Sequence, residues 1–395
     1  MGRRGVHVAV TAGPHRPSTN LCQVARDALV VGGGVIGLAA AYRLAATGAS
    51  TCLIDASGTR GASWAAAGML APISEAIFGE QDLTRLNLAA VAAFRDFAAE
   101  LLELTSMPVG LRTEGTLAVA FDADDKAALG RLTDFRASLG LQTESLTGRQ
   151  SRELEPYLAT GVRAGVLATD DLSVDNRQYA GVLRQACELA GVEFVTGQVT
   201  GLIETSGRIC GVTTEDGRQF AASTVVLAAG ALTARLVDLP IEPVKGQILR
   251  LAIPDRLRSA GPVLRHTVRG IVRGTEVYLV PRSNGEVVVG ATSEQQGFDV
   301  TVTAGGVYEL LRNAYELLPI SSEFSFVEAR AGSRPGTPDN GPLVGELRPG
   351  LIIAAGHYRN GILLSPLTAT AVVRLVAGQP LAEEWKAFHP QRFAR

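Results

Sequence analysis

Residues 28 to 55, ALVVGGGVIGLAAAYRLAATGASTCLID, restrict the fold of this chain more than any other stretch. Four apolar residues, Ala28 to Val31, run straight into Gly32, Gly33 and Gly34. The period then becomes helical through Ile36, Leu38, Ala40, Leu44 and Ala45, which predicts a strand, a tight turn and a helix. The glycines read GxGxxG. Gly32 permits the sharp turn, Gly34 lets backbone approach a pyrophosphate, and Gly37 lets helix and strand pack closely. Amides of the helix N-terminus, including those of Val35 and Ile36, would face the phosphates. A second strand, Ser50 to Ile54, delivers Asp55 eighteen residues after Gly37, where a carboxylate can accept hydrogen bonds from an adenosine ribose. A glycine-rich surface turn is the bland alternative, but strand, helix, strand and acid fall in register. The motif does not separate FAD from NAD, and Asp55 argues only against a 2′-phosphate.

At 395 residues the chain exceeds what one core usually holds, so two domains are expected. The net charge of -2, with both signs scattered, offers no basic stripe, and nucleic acid is excluded as a partner. Cys22, Cys52, Cys187 and Cys210 show no CxxC spacing, and Cys52 falls in a buried strand, which fits a reduced cytoplasmic protein. The apolar window Ala28 to Tyr42 is too short and too rich in glycine to span a membrane. The five histidines show no metal spacing. Residues 1 to 27 lack an apolar core with a cleavage site and are expected to be a disordered extension.

Further along, GASWAAAGMLAP (61 to 72) is too small for a core helix and too apolar for a solvated loop, so a large ligand is expected against it. Amphipathic helices are marked by Leu86, Val91, Phe94, Phe97, Leu101 and Leu102, and by Leu129, Leu132, Phe135 and Leu139, with a strand at Leu117 to Phe121 between them. This portion breaks the β-α alternation and reads as an insertion. The first architecture is expected to resume near Gly165. A helix on Tyr179, Leu183, Ala186 and Ala190 follows, then strands at Glu193 to Val195 and Val199 to Ile203, a hairpin at Asp216 and Gly217, and a buried strand in STVVLAAGAL (223 to 232). Residues 241 to 300 are strand-rich, with a turn at Ser283 to Gly285, and precede a helix on Val307, Leu310, Leu311, Ala314 and Leu317. Strands at Glu328 to Ser333 and Leu351 to Ala355 and a helix from Leu364 to Val376 close the chain. The expected division is a FAD- or NAD-binding domain from residues 28-80, 160-240 and 326-380, a substrate domain from 81-159 and 241-325, and a tail at 381-395.

The motifs GGGVIGLAAAYRLA (32 to 45), GASWAAAGMLAP (61 to 72), PVKGQ (243 to 247), YLVPR (278 to 282), RPGTPDNGPLVG (334 to 345) and AAGHYRNGILLSP (354 to 366) resemble the FAD-dependent D-amino-acid oxidase superfamily. Within it they are most similar to glycine oxidases of the thiamine-pathway type. The resemblance implies an α/β fold, a Rossmann-like FAD-binding domain with an inserted α+β substrate domain containing an antiparallel sheet. It also implies noncovalent FAD, a small amino-acid substrate, oxygen as acceptor, and product transfer to a thiazole synthase; a homo-oligomer is expected. No cysteine follows Cys210 to carry a covalent flavin.

Carried over by motif, Ser63, Ala66, Ala67, Gly68 and Met69 would lie along the flavin. Gly356, His357, Arg359, Asn360, Gly361 and Ile362 would approach its other edge, with the positive helix end stabilising the anionic reduced form. Val199 would contact adenine and Gly230 would pack near the cofactor. Both also read as ordinary sheet residues. A substrate carboxylate beside a flavin needs a fixed cation. Arg334 matches that arginine, Tyr278 the tyrosine reaching the same carboxylate, and Arg359 either a substrate contact or a loop support. A structural salt bridge for Arg334 and a core aromatic for Tyr278 are the plain alternatives. Hydride transfer from Cα to flavin N5 requires no general base. His357 is therefore assigned to orienting its loop, and Lys245 to supporting a turn at Gly246. Some members carry a basic residue two positions before the tyrosine; here it is Glu276.

The implied reaction is oxidation of glycine, and of sarcosine or small D-amino acids, to an imine, then glyoxylate and ammonia, with hydrogen peroxide. Two alternatives stand beside it: a D-amino-acid dehydrogenase or other secondary-amine oxidase of the superfamily, and a non-catalytic nucleotide-binding protein, against which Tyr278 and Arg334 together argue. A hydroxylase-type flavoprotein would show a GD pair where this chain has GHYRNG.

Overall fold

The computed structural model describes residues 26–56, 61–259, 261–272 and 274–393; the extension expected at the N-terminus, with Cys22, lies almost wholly outside them. β1 (Arg26–Val31) leads through the glycine turn into α1 (Val35–Ala46) and β2 (Thr51–Asp55). β1 and β2 pair in parallel, Ala28 opposite Thr51 and Val31 opposite Ile54. At Gly37 an added Cβ would lie 1.9 Å from the Gly32 carbonyl oxygen, so the helix meets the turn as closely as the glycine spacing predicts.

The next elements in order are α2 (Ala62–Ala65), β3 (Met69–Leu70), α3 (Gln81–Thr105), β4 (Thr116–Ala120), α4 (Ala123–Ser138), β5 (Glu144–Thr147), α5 (Gly148–Leu154), β6 (Ala164–Ala168), β7 (Leu172–Ser173) and α6 (Asn176–Leu189). Two of them differ from the expected division. α3 buries Leu86, Phe94, Phe97 and Leu101 in the same core as α1 and α6, because its apolar stripe is long enough to reach across the first sheet's helices. β6, expected to restart the first architecture, instead pairs antiparallel with β4 and β5 in the second sheet. Its all-buried sequence AGVLA carries no mark of which sheet claims it. α4 forms, but Leu129, Leu132 and Phe135 are only half-buried and Leu139 is exposed.

β8 (Glu193–Thr196), β9 (Val199–Thr205), β10 (Arg208–Thr214) and β11 (Gln219–Leu227) follow, the last two joined by the Asp216–Gly217 turn. Next are β12 (Glu242–Ala252), α7 (Asp255–Arg258), β13 (Thr267–Val272), β14 (Thr275–Pro281), β15 (Glu286–Gly290), α8 (Ala304–Leu317), β16 (Ser325–Gly336), β17 (Leu343–Arg348), β18 (Leu351–Ala355) and α9 (Gly361–Val376). β13 and β17 went unread in the sequence, since TVRGIV and LVGELR mix glycine and charge into short runs.

The first sheet has the order β17-β18-β11-β1-β2-β8, with the β9–β10 hairpin off its edge. From β18 to β8 its neighbours are parallel. The chain runs outward from β1 to β2 and β8, then crosses to β11 on the other side, which makes the β1/β11 junction a switch point. Helices α1, α3, α6 and α9 cover one face. The second sheet, order β16-β12-β15-β14-β13-β4-β6-β5, is antiparallel except for the parallel pair β4 and β13. Its core is closed by α8, through Leu310, Ala314 and Leu317. β16, assigned from residue 326 to the first domain, is an edge strand of this second sheet along all of its length. No described helix is long and apolar enough to cross a membrane.

Candidate active site

A single cavity of about 820 Å³ runs from the carboxyl ends of β1, β2 and β11 to the face of the second sheet. At its nucleotide end lie Gly32, Gly34, Val35 and Ile36, with Asp55, Val199 and Gly230 around them. Gly32 sits at φ +110°, where an added Cβ would strike the Ala228 carbonyl. The Asp55 carboxylate accepts the Gly33 amide at 2.9 Å and so holds the glycine turn as well as facing the cavity. Ser63 Oγ accepts the Val35 amide at 3.2 Å, tying the small-residue segment to the start of α1. Gly37 does not line the cavity; it serves the helix–turn contact alone.

Ser63, Ala66, Ala67, Gly68 and Met69 all line the middle. They are held from behind by residues that sequence reading passed over. Asn176 donates to the carbonyls of Ser63 and Trp64 at 2.8 and 3.1 Å. Arg282 donates to the Ala67 carbonyl, and the Asn176 amide oxygen accepts from Arg250 at 2.9 Å. Burial pushes Arg282 down to about 10. The arginine at the end of YLVPR was the only available hint.

On the far side, His357, Arg359, Gly361 and Ile362 reach the cavity, whereas Gly356 and Asn360 do not. Gly356 takes φ +74° against Thr337 and Leu343, and Asn360 precedes α9 and donates its amide to the His357 carbonyl at 2.9 Å. Both shape the loop rather than face a ligand. Tyr358, unread in the sequence, sits at φ 45° with its amide bonded to the Pro335 carbonyl at 3.0 Å, a left-handed conformation stored where the loop turns into the cavity. Arg359 is exposed, its guanidinium 5.1 Å from the Tyr358 ring centre. It stands at the rim. His357 is buried, with Nε2 2.9 Å from Thr368 Oγ1, and burial pushes it down to about 3.

At the end of the cavity away from the glycine turn the sheet provides the geometry. Tyr278 lies directly opposite Arg269 on β13 and Gly290 on β15. An added Cβ at Gly290 would lie 2.3 Å from the Tyr278 hydroxyl. The same relation holds between Gly246 and the Arg334 guanidinium, at 2.4 Å. Each ring or fork therefore lies flat across a strand glycine. This overturns the turn expected at Gly246: the residue is mid-strand in β12, opposite Gly332, and is glycine to make room for Arg334. Lys245 is buried within that strand and pairs with Glu294 at 3.2 Å instead of supporting a turn. Arg334 also donates to the Thr292 carbonyl at 3.2 Å. Burial raises the Tyr278 hydroxyl, against the opposing pull of Arg334, so it stays a neutral donor.

Two further charged residues line this end, Glu75 and Arg269, bonded at 3.0 Å, with Glu276 3.8 Å from the same guanidinium. Burial works against the charge of Arg269, but Glu75 and Glu276 outweigh it and raise its basicity. Nothing in the sequence marked Glu75 or Arg269, since both lie outside the recognised motifs; only Glu276 stood out, as a departure from the basic residue of some members.

The cavity fits an extended dinucleotide: glycine backbone at a helix N-terminus, a carboxylate at the ribose position, a row of residues no larger than serine followed by Met69, and a second helix start at Gly361. The family model described as FAD dependent oxidoreductase (DAO) matches residues 27–375. The chain is 36% identical over 376 residues to the bifunctional protein ThiO/ThiG of Synechocystis sp., covering 94% of this chain and 54% of that protein. It thus spans about half the length of that relative. It is also 36% identical to the glycine oxidase of Geobacillus kaustophilus, over 92% of this chain and 96% of that one. The crystal structure of glycine oxidase from Geobacillus kaustophilus superposes with a TM-score of 0.86 at 35% identity, over 93% of this chain and 99% of that one.

Proposed function

The chain belongs to the FAD-dependent oxidoreductase (DAO) family, and from that premise we propose that it oxidises glycine, with sarcosine and small D-amino acids as further substrates, to the imine, the two electrons and two protons passing to oxygen as hydrogen peroxide. The observation that carries this reading is the pairing of Arg334 and Tyr278, each laid across a strand glycine, at the end of the cavity away from the GxGxxG turn. A guanidinium and a neutral phenol there suit a carboxylate held in two directions.

Bound FAD supplies the two-electron acceptor. The protein's own task is to fix the amino acid by its carboxylate, keep the Cα–H bond aligned, and exclude water. Buried His357 stays neutral and bonded to Thr368, which supports a loop-holding role over proton abstraction. Among the described residues, no cysteine lines the cavity, and Cys52, Cys187 and Cys210 are buried elsewhere. That favours a noncovalent cofactor, which acid precipitation should release as free FAD. The proposal includes a cytoplasmic homo-oligomer and delivery of dehydroglycine to a thiazole synthase, supported by the name of the bifunctional relative.

A dehydrogenase using another electron acceptor is the second reading, favoured by one observation: the cation at Arg269 is offset by Glu75 and Glu276. An oxygen-electrode screen of small amino acids and N-methyl amines tests both. Peroxide formation with glycine at rates matching dye reduction supports the oxidase. Fast dye reduction without oxygen uptake selects the dehydrogenase, and no turnover with any of them ends the proposal.

A further inference from the structure

The strand pairing places two charges, Arg269 and Glu276, on one face at the substrate end, and a third joins them from outside the sheet. Tyr278 and Arg269 are directly opposite on β14 and β13, so their side chains leave the sheet on the same side. Glu276, two residues before Tyr278, shares that side. Glu75 reaches the same guanidinium from the segment between β3 and α3. That segment is firmly held: Asp171 accepts the amides of Ile73 and Ser74 at 3.0 and 3.2 Å, and Arg136 donates to the Ser74 carbonyl at 2.5 Å. Glu75 and Arg269 are largely buried, at 14% and 17% side-chain exposure, while Glu276 is open at 72%. One cation faces two carboxylates, so this wall carries a net negative charge in a cavity whose anchor, Arg334, is positive.

We infer that Glu75, Arg269 and Glu276 form the specificity-determining wall of the cavity. With the substrate carboxylate fixed at Arg334, the wall admits small neutral groups on nitrogen or Cα and rejects a second carboxylate. The inference rests on the proposed carboxylate site. A substrate with one carboxylate turns only hydrogen or methyl toward the wall. A dicarboxylate would bring its second anion against Glu75 and Glu276, with Arg269 already engaged by both.

Binding of two unreactive ethers tests this without turnover: methoxyacetate, shaped like sarcosine, and diglycolate, shaped like iminodiacetate. Their dissociation constants are read from perturbation of the bound flavin's visible spectrum. The wild type should bind methoxyacetate about tenfold or more tightly than diglycolate, a like-charge effect at short range. Glu75→Gln should shrink that ratio about tenfold, and Glu276→Gln severalfold because water screens it. Adding Arg269→Gln to Glu75→Gln should restore discrimination by removing the freed cation. Should Glu75→Gln lose FAD, Glu276→Gln decides. Equal wild-type binding of the two ethers, or an unchanged ratio in the FAD-replete Gln variant, overturns the inference. Failure of both ethers to bind sinks it together with the carboxylate site. Turnover of sarcosine and iminodiacetate on the same preparations separates the two claims. Intact discrimination without turnover refutes only the proposed reaction, and turnover of both substrates at equal efficiency refutes only the wall.

Discussion

The nucleotide end of the cavity is built around one contiguous run, Gly32 to Asp55, with Val199 and Gly230 beside it, and presents mostly backbone. Its substrate end is made from side chains on β12 to β16 and on the segment after β3, and presents buried charge. The first construction depends on what is missing, a Cβ at three positions. The second depends on what each side chain is laid against. Damage should therefore separate: substitutions at one end should remove cofactor, and at the other remove substrate with the cofactor left in place.

The largest break in that comparison is expected at Arg334. Arg334→Ala leaves a substrate carboxylate unpaired in a buried site, at a cost of about 3 to 5 kcal/mol in kcat/KM for glycine. Flavin content should remain normal. Unchanged kcat/KM would remove Arg334 from the substrate end.

Two glycine substitutions sharpen the contrast. Gly37→Ala would drive a Cβ to 1.9 Å from backbone at Gly32, and overpacking of that kind costs about 1 to 3 kcal/mol or more. The yield of FAD-loaded protein should fall. Gly246→Ala meets the movable guanidinium of Arg334 at 2.4 Å. FAD should be retained while kcat/KM falls about tenfold through misplacement of the fork. The distinction between the two ends fails if both variants lose FAD equally.

His357 reaches the cavity between the two ends and reports the loop that joins them. Its folded value of about 3 lies below the ordinary 6.5. The unfolded chain therefore binds the proton first, and the neutral form's contribution is full above about pH 6.5 and fades on acidification, by about 1.4 kcal/mol per pH unit. Buried Asp171, raised to about 6 by burial, pulls the opposite way. Urea unfolding of wild type and His357→Gln at about pH 6.5 and 5.5 isolates the histidine: its replacement should remove that fall. Parallel pH profiles would contradict its burial as a neutral ring.

The smallest expected effect concerns the bond that breaks. Glycine deuterated at Cα should slow anaerobic flavin reduction severalfold, and apparent affinity should improve as pH rises toward the amine's own pKa. His357→Ala should keep the isotope effect even if turnover slows. A variant that binds glycine and FAD normally yet fails to reduce flavin would assign a base to His357.

Much of the nucleotide end was legible because its determinants are local. Gly32, Gly34 and Asp55 sit at fixed spacings along one chain segment, and their roles follow from backbone stereochemistry that any such run obeys. Motifs also placed Tyr278, Arg334 and the 61-to-70 segment at one site. Gly246 was misread because a glycine in sequence does not say whether it bends the chain or clears space for a partner nearly ninety residues away. β6 joined the other sheet because a short apolar run fits either one.

The sequence by itself determined the α/β class, the GxGxxG turn and the small-residue segment, since each rests on residue type and short-range spacing, whereas the arginine–tyrosine pair was legible only through its resemblance to the family's motifs. Only the tertiary structure decided which strands adjoin, and hence that Arg269 stands opposite Tyr278, that Glu75 reaches it from another segment, and that Asn176 and Arg282 hold the small-residue segment in place. The physical reason is that a buried charge acts through its neighbours across the sheet, and strand order and register are fixed by the packing of the whole core.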